Sequence, residues 1–351
     1  MVDELYMTRC LELAQLGMGK VSPNPMVGCV IVVNGKIIGE GYHEVFGQAH
    51  AEVNAVSAVI AKYRELSDEL LTQATVYVSL EPCSHYGKTP PCVDLLIKHK
   101  VKRVVIGSKD PFPDVNGKGI EKLNEFGIEV KHGVLEKQCH QLNRRFFTRV
   151  LQQRPYIVLK WAQTANRFFA PVDGTQKWIS SALSKKLAHK WRSEEDAILV
   201  GKNTVIADNP NLTTREWKGK NQVRIIIDKN LSIAATQNIY NAEAKTLIFN
   251  EVKTEVQENV HFVYMEDMQY YLPQKIAFQL YLMDIQSVMV EGGVQILNQF
   301  ITANLWDEAR VFQSSVNWNA GLPAPAIGGF LQEVLPLNED KLMIYTNHLN
   351  S

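Results

Sequence analysis

Residues 75–92 read TVYVSLEPCSHYGKTPPC. The first six, Thr75–Leu80, are mostly β-branched or apolar and predict a buried strand. Cys83 follows that strand almost at once, and Cys92 stands just before the predicted helix that contains Val93–Ile97. A strand that leads through a short loop into a helix is the building unit of layered α/β folds. This stretch therefore predicts an α/β first half with two thiols at one edge of its sheet.

The segments around this stretch extend the same alternation of strands and helices. Val27–Val33 is a continuous apolar run, and Asn34-Gly35 after it is a hairpin turn signal that leads into a return strand, Lys36–Glu40. The remaining predicted elements of this half are a helix with one apolar face at Val53, Val56, Ile60 and Tyr63, strands at Val101–Gly107 and Ile128–Val134, and a helix around Ile120–Phe126.

A domain boundary is predicted near Leu151–Pro155, where a polar stretch ends in a proline between two patterned regions. The second half is also α/β, so the length of 351 residues divides into two domains, 1–152 and 153–351. Its predicted strands are Tyr156–Trp161, Ala197–Gly201, Arg224–Asp228, Thr246–Phe249 and Ser287–Val290, and its predicted helices are Ser181–Arg192 and Val294–Ile301.

Composition excludes several classes of function. Lys+Arg and Asp+Glu are both 37, which argues against nucleic-acid binding through bulk positive charge. No apolar run approaches the roughly 20 residues that span a bilayer, and the N-terminus lacks the pattern of a secretory signal. Five cysteines are too few for a disulfide framework. We therefore expect a cytoplasmic protein with no membrane and no nucleic-acid partner.

A zinc site is the first predicted centre of chemistry. His50, Cys83 and Cys92 supply one imidazole and two thiolates, and three protein ligands leave one position of a tetrahedral zinc ion open for water. Glu52 lies beside this set and is the candidate catalytic residue that carries a proton from that water to a leaving amine. A closed structural zinc site usually has four protein ligands. The other cysteines, Cys10, Cys29 and Cys139, stand in apolar or helical contexts typical of buried thiols.

The spacing of these residues leads to a family. His50-Ala51-Glu52 together with Pro82-Cys83 follows the pattern of zinc nucleobase deaminases, except that eight residues separate the two cysteines. With this longer loop, the EPCSHYGKTPPC stretch resembles the bifunctional deaminase/reductase family of riboflavin biosynthesis. Further segments carry the same resemblance: SPNPMVG at residues 22–28, GYHE at 41–44, Asp110-Pro111 and GKGI at 117–120.

That resemblance implies a cytidine-deaminase-like three-layer domain over residues 1–152, with one zinc ion per chain. Its reaction is the hydrolytic removal of the 2-amino group from 2,5-diamino-6-(5-phosphoribosylamino)pyrimidin-4-one. An amide suits a pyrimidine edge, and a cation suits a phosphate. The residues that the resemblance points to as substrate contacts are Asn24, His43, His85 and Lys88.

Residues 153–351 resemble the reductase half of the same family, whose fold is like dihydrofolate reductase. Val290-Glu291-Gly292-Gly293 ends a strand and opens a helix, where backbone N–H groups can meet a phosphate. The resemblance implies NADPH-dependent reduction of the ribosyl group to a ribityl chain. It implies NADPH contacts at Ala162, Trp178, Thr204, Asp208 and Gly293, and substrate contacts at Gln176, Arg192, Leu212, Arg215 and Glu291.

One departure from the family leaves an alternative open. The family usually has Ser/Thr-x-Asp-Gly after the first reductase strand, whereas this chain has Thr164-Ala165-Asn166-Arg167. Glycine there would mark a backbone conformation that a side chain disfavours. One alternative is therefore a nucleobase or nucleotide deaminase with an impaired reductase-like half, and another is a non-catalytic zinc protein. The family also suggests a homo-oligomer, either a dimer or a tetramer.

Overall fold

The computed structural model of the protein describes residues 2–86, 90–112, 115–172 and 179–347. The chain divides into two units, Met1–Gln153 and Arg154–Ser351. No helix in the described ranges is long and apolar enough to cross a membrane.

The N-terminal unit is built on one mixed sheet. Asn34 and Gly35 both have positive φ, which is the backbone of a type I′ turn, and the predicted hairpin is confirmed. The strands are β1 (Gly28–Val33), β2 (Lys36–Tyr42), β3 (Thr75–Leu80), β4 (Arg103–Ser108) and β5 (Glu129–Lys131), in the spatial order β2-β1-β3-β4-β5. The helices are α1 (Val2–Gln15), α2 (Ala51–Tyr63), α3 (Ser67–Thr72), α4 (Cys92–Lys98), α5 (Lys118–Glu125), α6 (Glu136–Leu142) and α7 (Arg144–Gln152).

Helices cover both faces of this sheet, and the predicted three-layer architecture is confirmed. In β1, Cys29 and Ile31 pack with Val56 on one face, whereas Val30 and Val32 pack with the residues of α1 on the other. Every residue of β1 is buried for this reason. A strand covered on both sides needs apolar residues at consecutive positions, which explains the unbroken run in the sequence.

The C-terminal unit has a larger sheet with a parallel centre. The carboxyl ends of its parallel strands β6, β8, β9 and β13 meet at one edge, where α/β proteins bind ligands. Its strands are β6 (Tyr156–Gln163), β7 (Phe168–Ala170), β8 (Ala197–Gly201), β9 (Val223–Ile227), β10 (Thr246–Asn250), β11 (Glu255–Gln257), β12 (Val260–Tyr264), β13 (Ser287–Gly292), β14 (Glu308–Gln313), β15 (Leu322–Pro323), β16 (Phe330–Leu337) and β17 (Asp340–Thr346). Its helices are α8 (Ala182–Glu194), α9 (Lys202–Asp208), α10 (Leu272–Leu282) and α11 (Val294–Thr302).

Strand order in this unit is β11-β12-β10-β9-β8-β13-β6-β14-β17-β16, with β7 and β15 paired separately. Side chains of β6 alternate between two cores: Ile157, Leu159 and Trp161 face one, and Tyr156 and Val158 face the other. The α/β architecture predicted for this half is therefore confirmed.

Some predicted boundaries were wrong. The strand expected over Ile128–Val134 is confined to Glu129–Lys131, at the edge of its sheet. Helix α1 was not predicted, although Tyr6, Met7, Cys10, Leu13 and Ala14 are buried at helical spacing. The C-terminal strands β14, β16 and β17 were also not predicted. Six of the eight residues of β16 are exposed, so that strand lacks the apolar alternation of a half-buried strand.

Candidate active sites

The predicted metal ligands lie together at the N-terminal ends of two helices. His50 precedes the first residue of α2, Cys92 opens α4, and Cys83 lies in the loop after β3. His50 Nδ1 is 3.7 Å from Cys83 Sγ and 3.4 Å from Cys92 Sγ. Tetrahedral bonds of zinc to nitrogen and sulfur place such ligand atoms about 3.6 Å apart. The three side chains therefore fit a zinc ion, and no fourth His, Cys, Asp or Glu of the described residues joins the group.

The electrostatics of the two thiols also suit a cation. The Cys92 thiol and His50 lower the pKa of Cys83 well below its usual range, and Cys83 Sγ accepts a hydrogen bond from the backbone N–H of Cys92 at 3.3 Å. The same shared proton, together with burial, raises the pKa of Cys92. One thiolate thus forms readily in this pair, and thiolate is the form that binds metal.

Glu52 is buried in the first turn of α2 and lines a cavity of about 420 Å³ that His50 and Cys83 also line. Burial and the negative charge on Cys83 raise the pKa of Glu52 to about 7. A carboxyl group with such a pKa can take up and release a proton near neutral pH. This arrangement provides what hydrolytic amine removal needs: a metal position and an adjacent proton carrier facing one cavity.

Three predicted substrate contacts line the same cavity: Asn24, His43 and His85. His43 Nδ1 is 3.0 Å from the carbonyl oxygen of Ala49, so this nitrogen donates and Nε2 accepts from Asn24 Nδ2 at 3.2 Å. Burial lowers the pKa of His43, which keeps the ring neutral. The fourth predicted contact, Lys88, lies outside the described residues.

The cysteine loop is held by a residue whose role was not predicted. Glu81 is buried, and its Oε2 accepts from the backbone N–H groups of Asp110 and Gly117 at 3.3 and 3.0 Å. Its Oε1 accepts from Gly119 and Ile120 at 3.0 and 3.4 Å. One carboxylate thus binds four backbone amides next to Pro82-Cys83. The segments at residues 110–111 and 117–120, which carry part of the family resemblance, supply these four amides.

Other residues of this cavity were also not predicted as site residues. Asp110 lines it, and burial raises the pKa of this carboxyl to about 6. Phe112, Phe146 and Arg149 complete the wall. The phenylalanines offer apolar surface to a planar ring, and Arg149 offers a positive charge. Only Asp110 had a signal in the sequence, because Asp110-Pro111 belongs to a recognised segment.

The second cavity, of about 620 Å³, lies at the carboxyl edge of the large sheet. Four predicted cofactor contacts line it: Ala162, Thr204, Asp208 and Gly293. A Cβ atom added at Gly293 would lie 3.4 Å from Thr204 Oγ1, so a side chain there would crowd this hydroxyl. Helix α11 begins directly after Gly293 and presents free backbone N–H groups, which are suited to a phosphate. The cavity therefore fits a dinucleotide. Trp178 and Gln176 lie outside the described residues.

The predicted substrate residues of this half divide between two places. Glu291 lines the large cavity, and Arg192 and Arg215 line a smaller recess that shares Lys160 and Ser180 with it. The remaining residue, Leu212, is buried in the core with Ile198 and Ile226 and lines neither cavity.

Arg192 and Glu291 form a two-pronged ion pair, with distances of 2.8 Å from Nε to Oε1 and 2.7 Å from Nη2 to Oε2. Arg192 Nη1 also donates to the carbonyl oxygen of Thr213 at 3.4 Å. Burial raises the pKa of Glu291, but Arg192 and Lys160 lower it to about 2. Arg192 therefore fixes an ionised Glu291 at the cavity wall, and Arg215 is the second guanidinium of the recess.

The departure at Asn166-Arg167 leaves the turn intact. Arg167 has φ +66°, the left-handed conformation in which glycine is favoured, and its N–H donates to the carbonyl oxygen of Thr164 at 3.0 Å. Asn166 Nδ2 donates to the carbonyl oxygen of Trp318 at 2.6 Å, and Asn166 Oδ1 accepts from the Trp318 N–H at 3.2 Å. The arginine thus occupies the glycine-type conformation within the connection from β6 to β7.

Comparison with known proteins finds a deaminase family at the N-terminal end of the chain and a reductase family at the C-terminal end. Residues 1–108 match the family model of the cytidine and deoxycytidylate deaminase zinc-binding region, and residues 155–317 match that of the RibD C-terminal domain. The riboflavin biosynthesis protein RibD of Aquifex aeolicus is 40% identical over 346 residues, 97% of this chain and 95% of that protein. RibD of Escherichia coli K12 is 36% identical over 329 residues, 89% and 87% of the two chains.

A solved structure is similar over the same extent. The crystal structure of a diaminohydroxyphosphoribosylaminopyrimidine deaminase/5-amino-6-(5-phosphoribosylamino)uracil reductase from Thermotoga maritima is 36% identical, covers 99% of both chains and has a TM-score of 0.89. Fold and sites together define a bifunctional enzyme, a zinc-dependent deaminase joined to an NADPH-dependent reductase. The chain belongs to the RibD family of riboflavin biosynthesis. The alternatives of an impaired reductase half and of a non-catalytic zinc protein are not supported.

Proposed function

We propose that residues 1–152 deaminate 2,5-diamino-6-(5-phosphoribosylamino)pyrimidin-4-one and that residues 153–351 then reduce the ribosyl group of the product to a ribityl chain. The name of the Thermotoga maritima relative supports both reactions, because it gives the same pyrimidine deaminase and uracil reductase. Matches of the deaminase and reductase family models to the two ends of the chain support the division of labour.

The deaminase assignment rests on one observation: three zinc-type ligand atoms lie within 4.8 Å of one another beside the cavity that Glu52 lines. His50, Cys83 and Cys92 would hold the ion, whose Lewis acidity makes water a nucleophile near neutral pH. Glu52 takes the proton of the attacking water and delivers it to the departing amine, so that ammonia leaves. Its position in the first turn of α2, two residues from His50, supports this role.

The substrate of the deaminase has two parts that need different partners. Asn24 and the neutral His43, which are 3.2 Å apart in the cavity wall, are suited to a pyrimidine edge because they offer an amide and a polar ring. His85 lines the same cavity, and we assign it together with Lys88 to the phosphoribosyl part. A cationic side chain is the usual partner of a phosphate.

In the reductase half we assign NADPH, which supplies a hydride, to the large cavity. The cofactor contacts proposed there are Ala162, Trp178, Thr204, Asp208 and Gly293. The substrate contacts proposed are Gln176, Arg192, Leu212, Arg215 and Glu291. Two features support these assignments. The large cavity is lined by both Glu291 and Gly293, and the adjoining recess is lined by Arg192 and Arg215. Leu212 can contribute only through its backbone or by packing, since its side chain is buried.

A homo-oligomer, either a dimer or a tetramer, is also proposed. Strand β16 is the last strand at its end of the large sheet, and Phe330, Leu331 and Val334 on it are 59%, 50% and 47% exposed. An exposed apolar edge strand is suited to pairing with another chain. Light scattering tests this: Leu331→Lys with Val334→Lys should lower the molar mass, and an unchanged mass would exclude this edge as the interface.

We also assign the enzyme to the cytoplasm. All five cysteines are free, which is typical of a reducing compartment. Fractionation of the source cells, followed by immunodetection of the chain, tests this assignment.

The function is tested by product mass. The zinc-loaded protein is incubated with the diaminopyrimidine phosphoribosyl substrate, with and without NADPH. We expect replacement of an amine by oxygen in both samples and addition of two hydrogens only with NADPH. Deamination without reduction would refute the reductase assignment. If the zinc-loaded protein neither deaminates nor reduces this compound, the proposed substrate is wrong.

Glu52→Gln tests the proton carrier. Loss of a positioned acid–base group typically lowers the rate about 10²- to 10⁴-fold. We therefore expect the rate of deamination to fall by at least about 10²-fold while zinc stays bound. The matched control is Glu44→Gln, because Glu44 is exposed on the surface. Undiminished deamination by the Glu52 variant would refute the proposed role.

A further inference from the structure

Two lysines that line the large cavity follow the ends of two adjacent strands. Lys202 follows the last residue of β8, and Lys229 lies two residues beyond the end of β9. The two strands are parallel neighbours in which Gly201 pairs with Ile227. Both lysines line the cavity, so its wall there carries two positive charges on adjacent connections.

The order of the strands shows which end of a dinucleotide would meet these lysines. The strands run β9-β8-β13-β6, and Lys160 on β6 and Glu291 on β13 line the end that adjoins the basic recess. The hydride-donating ring must lie against the substrate, hence near Glu291. Three strand spacings of about 4.8 Å separate β6 from β9, about 14 Å in all. A dinucleotide that extends across these strands brings its adenosine end to Lys202 and Lys229.

Lys202 makes no direct ion pair with a described residue. Its Nζ is 3.3 Å from Ser232 Oγ, and among the described residues no carboxylate oxygen lies within 4.0 Å of it. Ser232 in turn donates to Asp228 Oδ1 at 3.0 Å, while Asp228 Oδ2 accepts from the N–H of Ile233 at 2.9 Å. Asp228 is fully buried and does not line the cavity. The lysine is thus oriented through a hydroxyl group and remains available to an anion.

Lys229 is oriented by the carboxylate of Glu251, which also accepts a backbone hydrogen bond. Lys229 Nζ lies 3.1 Å from Glu251 Oε2, and Glu251 Oε1 accepts from the backbone N–H of Met268 at 2.6 Å. Two acidic residues line this cavity: Glu291, on β13 at the end near the recess, and Asp208, which stands at the opposite end of α9, six residues from Lys202. That separation is about 9 Å along a helix axis. An anion beside Lys202 therefore stays clear of Asp208.

We infer that Lys202 and Lys229 bind the 2′-phosphate on the adenosine ribose of NADPH and thereby select NADPH over NADH. The two cofactors differ only in this phosphate, and dinucleotide sites that accept it place a basic residue there, whereas those for NADH place an acidic one. The inference rests on the proposed assignment of the large cavity to the cofactor.

Calorimetric binding of two adenosine probes to the full chain tests this inference without catalysis. Adenosine 2′,5′-bisphosphate carries the phosphate in question, and adenosine 5′-monophosphate lacks it. We expect the wild-type protein to prefer the bisphosphate. Lys202→Ala and Lys229→Ala should each weaken bisphosphate binding about 10-fold, the effect of one charge-assisted hydrogen bond, and leave the monophosphate unchanged. The double variant should show no preference.

The control variant is Lys245→Ala, because Lys245 is exposed just before β10, at the amino end of the sheet. Thr204→Val and Gly293→Val test the cavity itself and should weaken NADP⁺ binding. If they do not, the cavity assignment fails and this inference fails with it. If they do, but both lysine variants keep the wild-type preference for the bisphosphate, the inference alone is overturned. Unchanged circular dichroism and tryptophan fluorescence of the variants would exclude misfolding.

Discussion

Replacing Glu81 by glutamine should destabilise the N-terminal unit strongly, although the change keeps the shape of the side chain. The carboxylate accepts four backbone N–H groups at 3.0–3.4 Å, two on each oxygen. Glutamine keeps one of these acceptors and turns an NH₂ group toward two backbone N–H donors, one buried and one partly buried. Two hydrogen bonds to a charged group, at about 1.5 kcal/mol each, give a loss of about 3 kcal/mol before the cost of the unpaired donors.

The two units can be followed separately because all six tryptophans lie between Trp161 and Trp318, in the C-terminal unit. Urea unfolding in the presence of a chelator, monitored by far-UV circular dichroism, should show the transition of the N-terminal unit shifted by about 1.5 M. Tryptophan fluorescence should report an unchanged midpoint for the C-terminal unit. The zinc content of the variant should also fall, because Glu81 anchors the loop that carries Cys83.

Glu121→Gln is the matched control, since Glu121 lies exposed in the first turn of α5. Surface substitutions of this kind usually change stability by less than about 0.5 kcal/mol. A loss below about 1 kcal/mol for Glu81→Gln would refute the reasoning, because the four amides would then have other partners available.

Three further outcomes are expected. Arg167→Gly should stabilise the C-terminal unit by about 1 kcal/mol, because Arg167 has φ +66°; a lower tryptophan-fluorescence midpoint in urea would contradict this. Cys83→Ser should lose zinc and destabilise the N-terminal unit, whereas Cys139→Ala should keep zinc by elemental analysis; full zinc occupancy in Cys83→Ser would show the ligand assignment to be wrong. Burial and the nearby Arg192 and Arg215 lower the pKa of His189 to about 4, so its contribution to stability is complete above about pH 6.5 and is lost as the pH falls toward 4. Between these pH values the free energy of unfolding should change by at most about 1.4 kcal/mol per pH unit because of His189. His189→Asn should remove this pH dependence from urea titrations monitored by tryptophan fluorescence. An unchanged pH dependence in the variant would exclude His189 as its source.

The deaminase centre could be predicted from the sequence because its ligands follow local features. His50 and Glu52 stand together at a helix start, and Cys83 and Cys92 flank one loop between a strand and a helix. Elements of this kind are encoded by short-range periodicity and turn residues, so Thr75–Leu80 and Ala197–Gly201 were predicted with the observed bounds. The alternation of strands and helices likewise determined the α/β class.

Only the tertiary structure decided which distant residues meet. Glu81 binds amides up to 39 residues away, and Arg192 pairs with Glu291 across 99 residues. Lys202 and Lys229 line one cavity because β8 and β9 are adjacent. Such contacts depend on strand order and helix packing, which local patterns do not contain. The sequence alone therefore determined the fold class and was sufficient to predict three metal ligands that the structure brings together. The contacts that orient the catalytic loops and separate the two ends of the cofactor cavity required the folded chain.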